Sequence, residues 1–251
     1  SGPYWLMRLG SEQREPRSIA SPADNKLLAA IGASELQRWE RHLEWVSLSR
    51  GQVIYEPGLP MRHAYFPTTA TISLLSLLAD GASAELAVVG NEGFVGVSLV
   101  MGGDSTPSSA VVRSAGMALR VPAHLVQDEF QRPEVLPLLL RYTQALITQI
   151  AQMAVCNRHH QLEQQLCRWL LLALDRSGGE QLSATHELIA EMLGVRREGV
   201  TAAAFKLQKL GLISYARGHI AVHDRAGIEQ RACECYGVVR REYERLLPSL
   251  D

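Results

Sequence analysis

The folds open to this chain are narrowed most by residues 183–224, SATHELIAEMLGVRREGVTAAAFKLQKLGLISYARGHIAVHD, where two helical patterns meet at one glycine. Thr185 is placed to N-cap a first helix whose Leu188, Ile189, Met192 and Leu193 share a face. Gly194 then supplies a tight turn, where a residue without Cβ escapes strain. A second helix is predicted over residues 196–209. At about 100° per residue, Val200, Ala203, Ala204 and Leu207 fall on its core side, and Glu198, Ala202, Phe205 and Lys209 on the other. Strand-like runs at 212–215 and 219–222, joined by Ala216-Arg217-Gly218, read as a hairpin. A helix-turn-helix with an appended wing is the local fold these residues predict.

The chemistry of the second helix suits double-stranded DNA. Arg197 and Glu198 lie in its first turn, the part of such a motif that enters the major groove. A guanidinium presents a planar fork to guanine O6 and N7, and a carboxylate accepts from the cytosine N4 amine. The plainer reading is an N-terminal anion favoured by the helix dipole beside a solvated arginine. Local charge favours the DNA reading: residues 195–225 hold six Lys and Arg against two acids, +4, although the whole chain carries 25 basic and 26 acidic residues. Residues 50–134 carry five basic and eight acidic residues, net −3, so two unlike parts sum to near neutrality. Binding by bulk charge is excluded; a small face must supply the affinity. The residues expected to meet DNA are Thr185, Arg196, Arg197, Glu198, Thr201, Phe205, Lys209, Arg217 and His219.

Upstream, the texture changes twice. Residues 24–42 carry Leu27, Leu28, Ile31, Leu36 and Trp39 at helical spacings interrupted at Gly32, which predicts two short helices. Residues 47–122 alternate short apolar runs with Pro-Gly, Asp-Gly, Asn-Glu-Gly and Gly-Gly-Asp turns, as an antiparallel sandwich or roll does. A helix to about residue 157 then carries Leu139, Thr143, Leu146, Ile150 and Met153 at heptad spacing, expected to be the seam between two copies of the chain. The expected division is a flexible arm at 1–22, a roll at 23–132, a dimerisation helix at 133–158, and a winged helix-turn-helix with a C-terminal helix at 159–251. That last helix, residues 226–247, is amphipathic and expected to pack on the DNA-binding unit.

The order of roll, heptad helix and winged helix-turn-helix, with T-x-x-x-I-A-x-x-L-G followed by R-E-x-V-T, resembles the Crp/Fnr family of bacterial transcription regulators over about residues 24–223. The resemblance implies an α+β chain: an N-terminal antiparallel β-roll or jelly roll, a long dimerisation helix and a C-terminal winged helix-turn-helix. It also implies a homodimer on a palindromic operator, base contacts by Arg197 and Glu198, a phosphate contact by Thr185, an effector for the roll, and RNA polymerase as a further partner. Two departures stand out. Ala202 replaces a second arginine common in the family, which alters base preference at that position. In the phosphate cassette, here Gly96, Val97, Ser108 and Ser109, Val97 stands where cyclic-nucleotide binders have Glu and Ser108 where they have Arg. Loss of a desolvated arginine opposite a cyclic phosphate costs about 2–5 kcal/mol, so cyclic AMP is not expected as the effector.

No cofactor and no metal are expected. The four cysteines, Cys156, Cys167, Cys233 and Cys235, exclude the family's N-terminal iron–sulfur cluster, and Cys233-x-Cys235 on a regular helix would diverge. His159 and His160 beside Cys156 suit a helix C-terminus better than a metal. The opening apolar stretch is too short for a secretory leader and no window of the sequence is long enough to span a membrane, so a cytoplasmic protein without disulfides is expected. Phosphate-loop, G-x-S-x-G and metal-binding H-x-H patterns are absent, which argues against an enzyme. The alternatives kept open are a metal-dependent jelly-roll enzyme and a ligand-binding module without DNA recognition.

Overall fold

The computed structural model describes residues 21–81, 83–129, 132–177 and 181–247; the expected arm at 1–22 lies almost wholly outside them. After a one-turn helix at Pro22–Asp24 come α1 (Lys26–Ile31) and α2 (Ala33–Glu40), separated by Gly32 at φ 99°. Asn25 starts α1 by accepting from the Leu28 amide, and its own amide group donates to the carbonyls of Pro67 and Gly93, so one buried side chain caps the helix and ties it to the roll.

The roll contains β1 (Glu44–Leu48), β2 (Val53–Tyr55), β3 (His63–Pro67), β4 (Thr71–Leu77), β5 (Ser83–Val89), α3 (Val97–Val100), β6 (Ser109–Ser114), β7 (Gly116–Pro122) and α4 (Ala123–Glu129). Its strands form two antiparallel sheets, β1-β7-β3 and β2-β6-β4-β5. The two-residue period sorts their side chains. Ile72 and Leu74 of β4 and Ala110 and Val112 of β6 enter a core with Phe66, Phe94 and Leu119, whereas Leu75 turns outward into the core of the C-terminal unit.

The C-terminal unit contains α5 (Leu136–His159), α6 (Leu162–Ser177), β8 (Gln181–Ser183), α7 (His186–Leu193), α8 (Arg197–Lys209), β9 (Ile213–Ala216), β10 (His219–Val222), α9 (Arg225–Arg231) and α10 (Glu234–Leu246). The fold is thus α+β: roll, long helix and winged helix-turn-helix. The wing gains a third strand, β8, paired to β10, which no run in the sequence announced.

Two expectations are corrected. The heptad stripe Leu139, Thr143, Leu146, Ile150 and Met153 is turned into the chain itself: all but the half-exposed Ile150 are buried, and Leu139, Leu146 and Ile150 pack in the roll's core. The outward stripe is the neighbouring one, Leu140, Gln144, Ile147, Ala151 and Ala154. A 3-4 spacing fits both, and only the position of the roll decides between them.

The C-terminal helix is also not continuous. It breaks at Ala232 and Cys233, both extended, into α9 and α10; α9 packs on α6 as expected, and α10 lies chiefly along α5 while its Tyr236 and Val239 enter the core of the helix-turn-helix unit. Because Cys233 is the extended N-cap of α10 and not a helical residue, the divergence expected of a C-x-C pair does not arise. Cys233 and Cys235 both turn inward and form a buried cluster with Cys156.

Buried charges join the two units. Arg113 of β6 lies 3.5 Å from Glu85 of β5, with its guanidinium 4.0 Å above the Trp169 ring of α6. Arg176 of α6 donates to Glu92 of the roll at 2.7 Å and to Gln149 of α5 at 3.1 Å.

Candidate nucleic-acid interface

Thr185 is the N-cap of α7, its hydroxyl accepting from the Leu188 amide, and Gly194 closes the helix at φ 65°, the left-handed conformation a turn this tight requires. In α8, Val200, Ala203, Ala204 and Leu207 are buried, while Arg197, Glu198, Thr201, Ala202, Phe205 and Lys209 are exposed. Gly199 permits the crossing of α8 over α6, since a Cβ there would stand 2.7 Å from Leu162.

Arg196 is the extended residue that begins α8, and Arg197 and Glu198 occupy its first turn. Arg197 rests 3.7 Å from the exposed carboxylate of Glu187 on α7. At this exposure such a pair is worth at most about 1 kcal/mol, so the guanidinium is easily released to another acceptor. Lys209 lies 4.7 Å over the ring of Phe205, which is 54% exposed. Arg196, Lys209 and Arg217 have no acidic partner within 4.0 Å among the described residues, whereas Lys206 and Arg225 face Glu163 and Asp175. The wing turns at Arg217 (φ 51°) and Gly218 (φ 82°), a pair of positive φ values that matches the twist of a two-residue hairpin and holds Arg217 at the tip. His219, also exposed, starts the return strand.

His186, which no motif in the sequence singles out, draws these pieces together. Its ring stacks on Tyr215 of the wing at 4.0 Å, and its Nδ1 lies 3.0 Å from the Thr201 hydroxyl of α8. Thr201 donates its own proton to the Arg197 carbonyl, so Nδ1 carries the hydrogen and Nε2 is the lone-pair nitrogen, buried without a hydrogen-bond partner among the described residues. Burial first, and the nearby Arg197 charge second, hold His186 below its ordinary value of 6.5. At the same place the carbonyl of Gly218 accepts from the Ala184 amide, just before Thr185. The start of α7, the first turns of α8 and the wing therefore share one exposed surface.

Among the described residues and clefts, the cassette positions expected to form an effector pocket share no common cavity. Gly96, at φ 123°, lies against Ala64; Val97 opens α3; and Ser108 shares a hydrogen bond with Thr106. Of the four, Ser109 lines a cleft of about 830 Å³ between the outer face of the four-stranded sheet and α7, together with Arg50, Leu75, Arg113, Leu188 and Met192. Strand alternation explains the separation: Ser109 follows the outward side of β6 with Val111 and Arg113.

Comparison with known proteins places this geometry among regulators. Residues 45–132 match a cyclic nucleotide-binding domain and residues 164–231 a Crp-like helix-turn-helix domain. The chain is 23% identical over 218 residues to the global nitrogen regulator of Synechococcus elongatus, covering 83% of this chain and 97% of that protein. It is 25% identical over 187 residues to the global nitrogen regulator of a Nostoc species, covering 70% and 84%. A Crp/Fnr-family transcriptional regulator from Thermus thermophilus superposes with a TM-score of 0.62 at 25% identity, over 75% of this chain and 98% of that one.

Proposed function

Since the chain belongs to the Crp/Fnr family of transcription regulators, with a cyclic nucleotide-binding-type domain and a helix-turn-helix, we propose that it works as a homodimer on a two-fold-symmetric operator in double-stranded DNA, with Arg197 and Glu198 reading bases. The observation that carries this reading is the shared surface at His186: it sets the first turn of α8 beside the wing and leaves Arg197, Glu198, Lys209 and Arg217 exposed around it. Arg197 offers the bidentate fork for guanine, Glu198 accepts from cytosine, and Thr185, Arg196, Thr201, Lys209, Arg217 and His219 supply phosphate contacts. Phe205 offers an apolar face to a thymine methyl.

The second copy is assigned to the outward stripe of α5. Leu140 and Ile147 are 51% and 57% exposed, and with Gln144, Ala151 and Ala154 they follow the 3-4 spacing of a two-stranded seam, with Val155, 46% exposed, beside Ala154. Pairing there would set two recognition helices about one duplex turn, ~34 Å, apart. Regulation enters where roll and DNA-binding unit touch: a small effector in the cleft between the sheet and α7 would shift α7 directly. Cyclic AMP does not fit this reading, because Val97 and Ser108 provide neither a carboxylate for the ribose nor a cation for the phosphate. We place the protein in the cytoplasm, with its DNA and RNA polymerase; among the described residues no helix is long and apolar enough to cross a membrane.

Selection from a random duplex pool, followed by gel-shift titration, tests the reading. A palindromic consensus with half-sites one turn apart is expected. Arg197→Ala and Glu198→Ala should each weaken it by roughly 5- to 150-fold and relax one base position, and Ile147→Asp should yield a monomer that no longer retains it. Equal affinity of the Arg197 and Glu198 variants for the selected site would remove the base-reading roles.

A further inference from the structure

We infer that Cys156, His160, Cys233 and Cys235 form a structural zinc site that clamps the start of α10 to the junction of α5 and α6. The four ligand atoms, three Sγ and one imidazole nitrogen, all lie within 4.8 Å of one another, although the residues come from two segments more than seventy positions apart in the sequence. The Sγ atoms of Cys156 and Cys233 are 3.4 Å apart, and Cys235 Sγ is 3.6 Å from His160 Nδ1. A tetrahedron with zinc–sulfur bonds of about 2.3 Å has edges of about 3.8 Å, so the side chains stand close to coordinating positions. Three thiolates and one imidazole complete a four-coordinate shell with no position left for a substrate, the arrangement of a structural rather than a catalytic zinc.

The surroundings supply what such a site needs beyond its ligands. His160 Nε2 lies 3.2 Å from the Glu234 carboxylate, which fixes the hydrogen on Nε2 and turns the Nδ1 lone pair toward the thiols; a carboxylate behind a histidine is the usual outer support of a zinc ligand. Gln165 donates to the carbonyls of Cys156 and His160, holding the end of α5 that carries both.

A second, independent sign is Arg168. It is 2% exposed, its Nη1 lies 2.6 Å from Met153 Sδ, and its Nε and Nη2 have no hydrogen-bond partner among the described residues. A buried guanidinium without an anion is costly. Zinc bound by three thiolates and a neutral imidazole carries one net negative charge, which this cation would balance, and the Arg168 charge favours the ionised form of all three cysteines. On binding, each thiol releases its proton to solvent and no electron is transferred.

The test uses the full-length protein, purified under reducing conditions without chelator. About one zinc per chain is expected by elemental analysis. Replacement by cobalt should give the strong visible bands of a tetrahedral site and a near-ultraviolet sulfur-to-cobalt band. His160→Ala and Cys235→Ser should lose these bands and the stoichiometric metal, whereas Cys167→Ser, which removes a buried cysteine outside the cluster, should keep both. The cobalt spectrum of the unaltered chain keeps the assignment testable where a variant fails to fold. Three results would overturn it: reduced protein that takes up neither zinc nor cobalt, a Cys156–Cys233 disulfide found by mass spectrometry in protein as isolated, or a brown protein containing iron and acid-labile sulfide.

Discussion

In the roll, Arg113 and Glu85 face each other in the interior with side chains only 6% and 1% exposed; in the DNA-binding unit, Arg197 and Glu187 form a similar pair at 65% and 75% exposure. The contrast extends outward from these pairs. The roll has uncharged side chains at Val97 and Ser108, and keeps Glu85, Glu92 and Arg113 for contacts at or near the C-terminal unit. The helix-turn-helix leaves its charges in water. Ionic groups in the first region hold two units in one arrangement, and those in the second remain available to an outside partner.

The largest test of this contrast is to break the buried pair. Arg113→Ala removes the cation beside the buried Glu85 carboxylate and should destabilise the fold by about 3–5 kcal/mol in urea titration, while joint replacement of Arg113 and Glu85 by Met and Leu should cost far less. A loss for Arg113→Ala no larger than that of a surface mutation would erase the distinction between the regions. Next come the exposed cations: Lys209→Ala and Arg217→Ala should leave stability unchanged but each lower the slope of log affinity against log salt by about 0.9, equally on every sequence. The smallest effect is a pH dependence. His186 titrates lower in the fold than its ordinary 6.5, so the unfolded chain takes the proton first. Its contribution should be complete above about 6.5 and fall away as pH drops below that value, and His186→Gln should flatten this part of the stability profile.

The parts of this molecule that were legible in the sequence are those whose signal is local. Gly194 between two 3.6-periodic runs, Thr185 at a cap and Arg217-Gly218 at a hairpin tip each specify their own backbone, and the structure follows them. What was not legible depends on a distant neighbour. Leu139 and Leu140 begin two equally good heptad stripes, and nothing within α5 says which one the roll will cover. Ser109 reaches the large cleft and Ser108 does not, a choice made by strand register. The meeting of Cys233 with Cys156 required a helix break at Ala232, where no glycine or proline marks the end.

Gln149 concentrates the same dependence in one amide. Buried in the middle of α5, its NH2 group donates to the Val88 carbonyl of the roll, while its oxygen accepts from Arg176 of α6 and from the Tyr243 hydroxyl of α10. Three elements are thus referenced to a single planar group. Hydrogen bonds weaken steeply as they stretch, so a displacement of the helix-turn-helix unit from the roll has to give up bonds to this amide. A signal crossing the molecule would consequently be thresholded, with small disturbances absorbed and larger ones answered in one cooperative step.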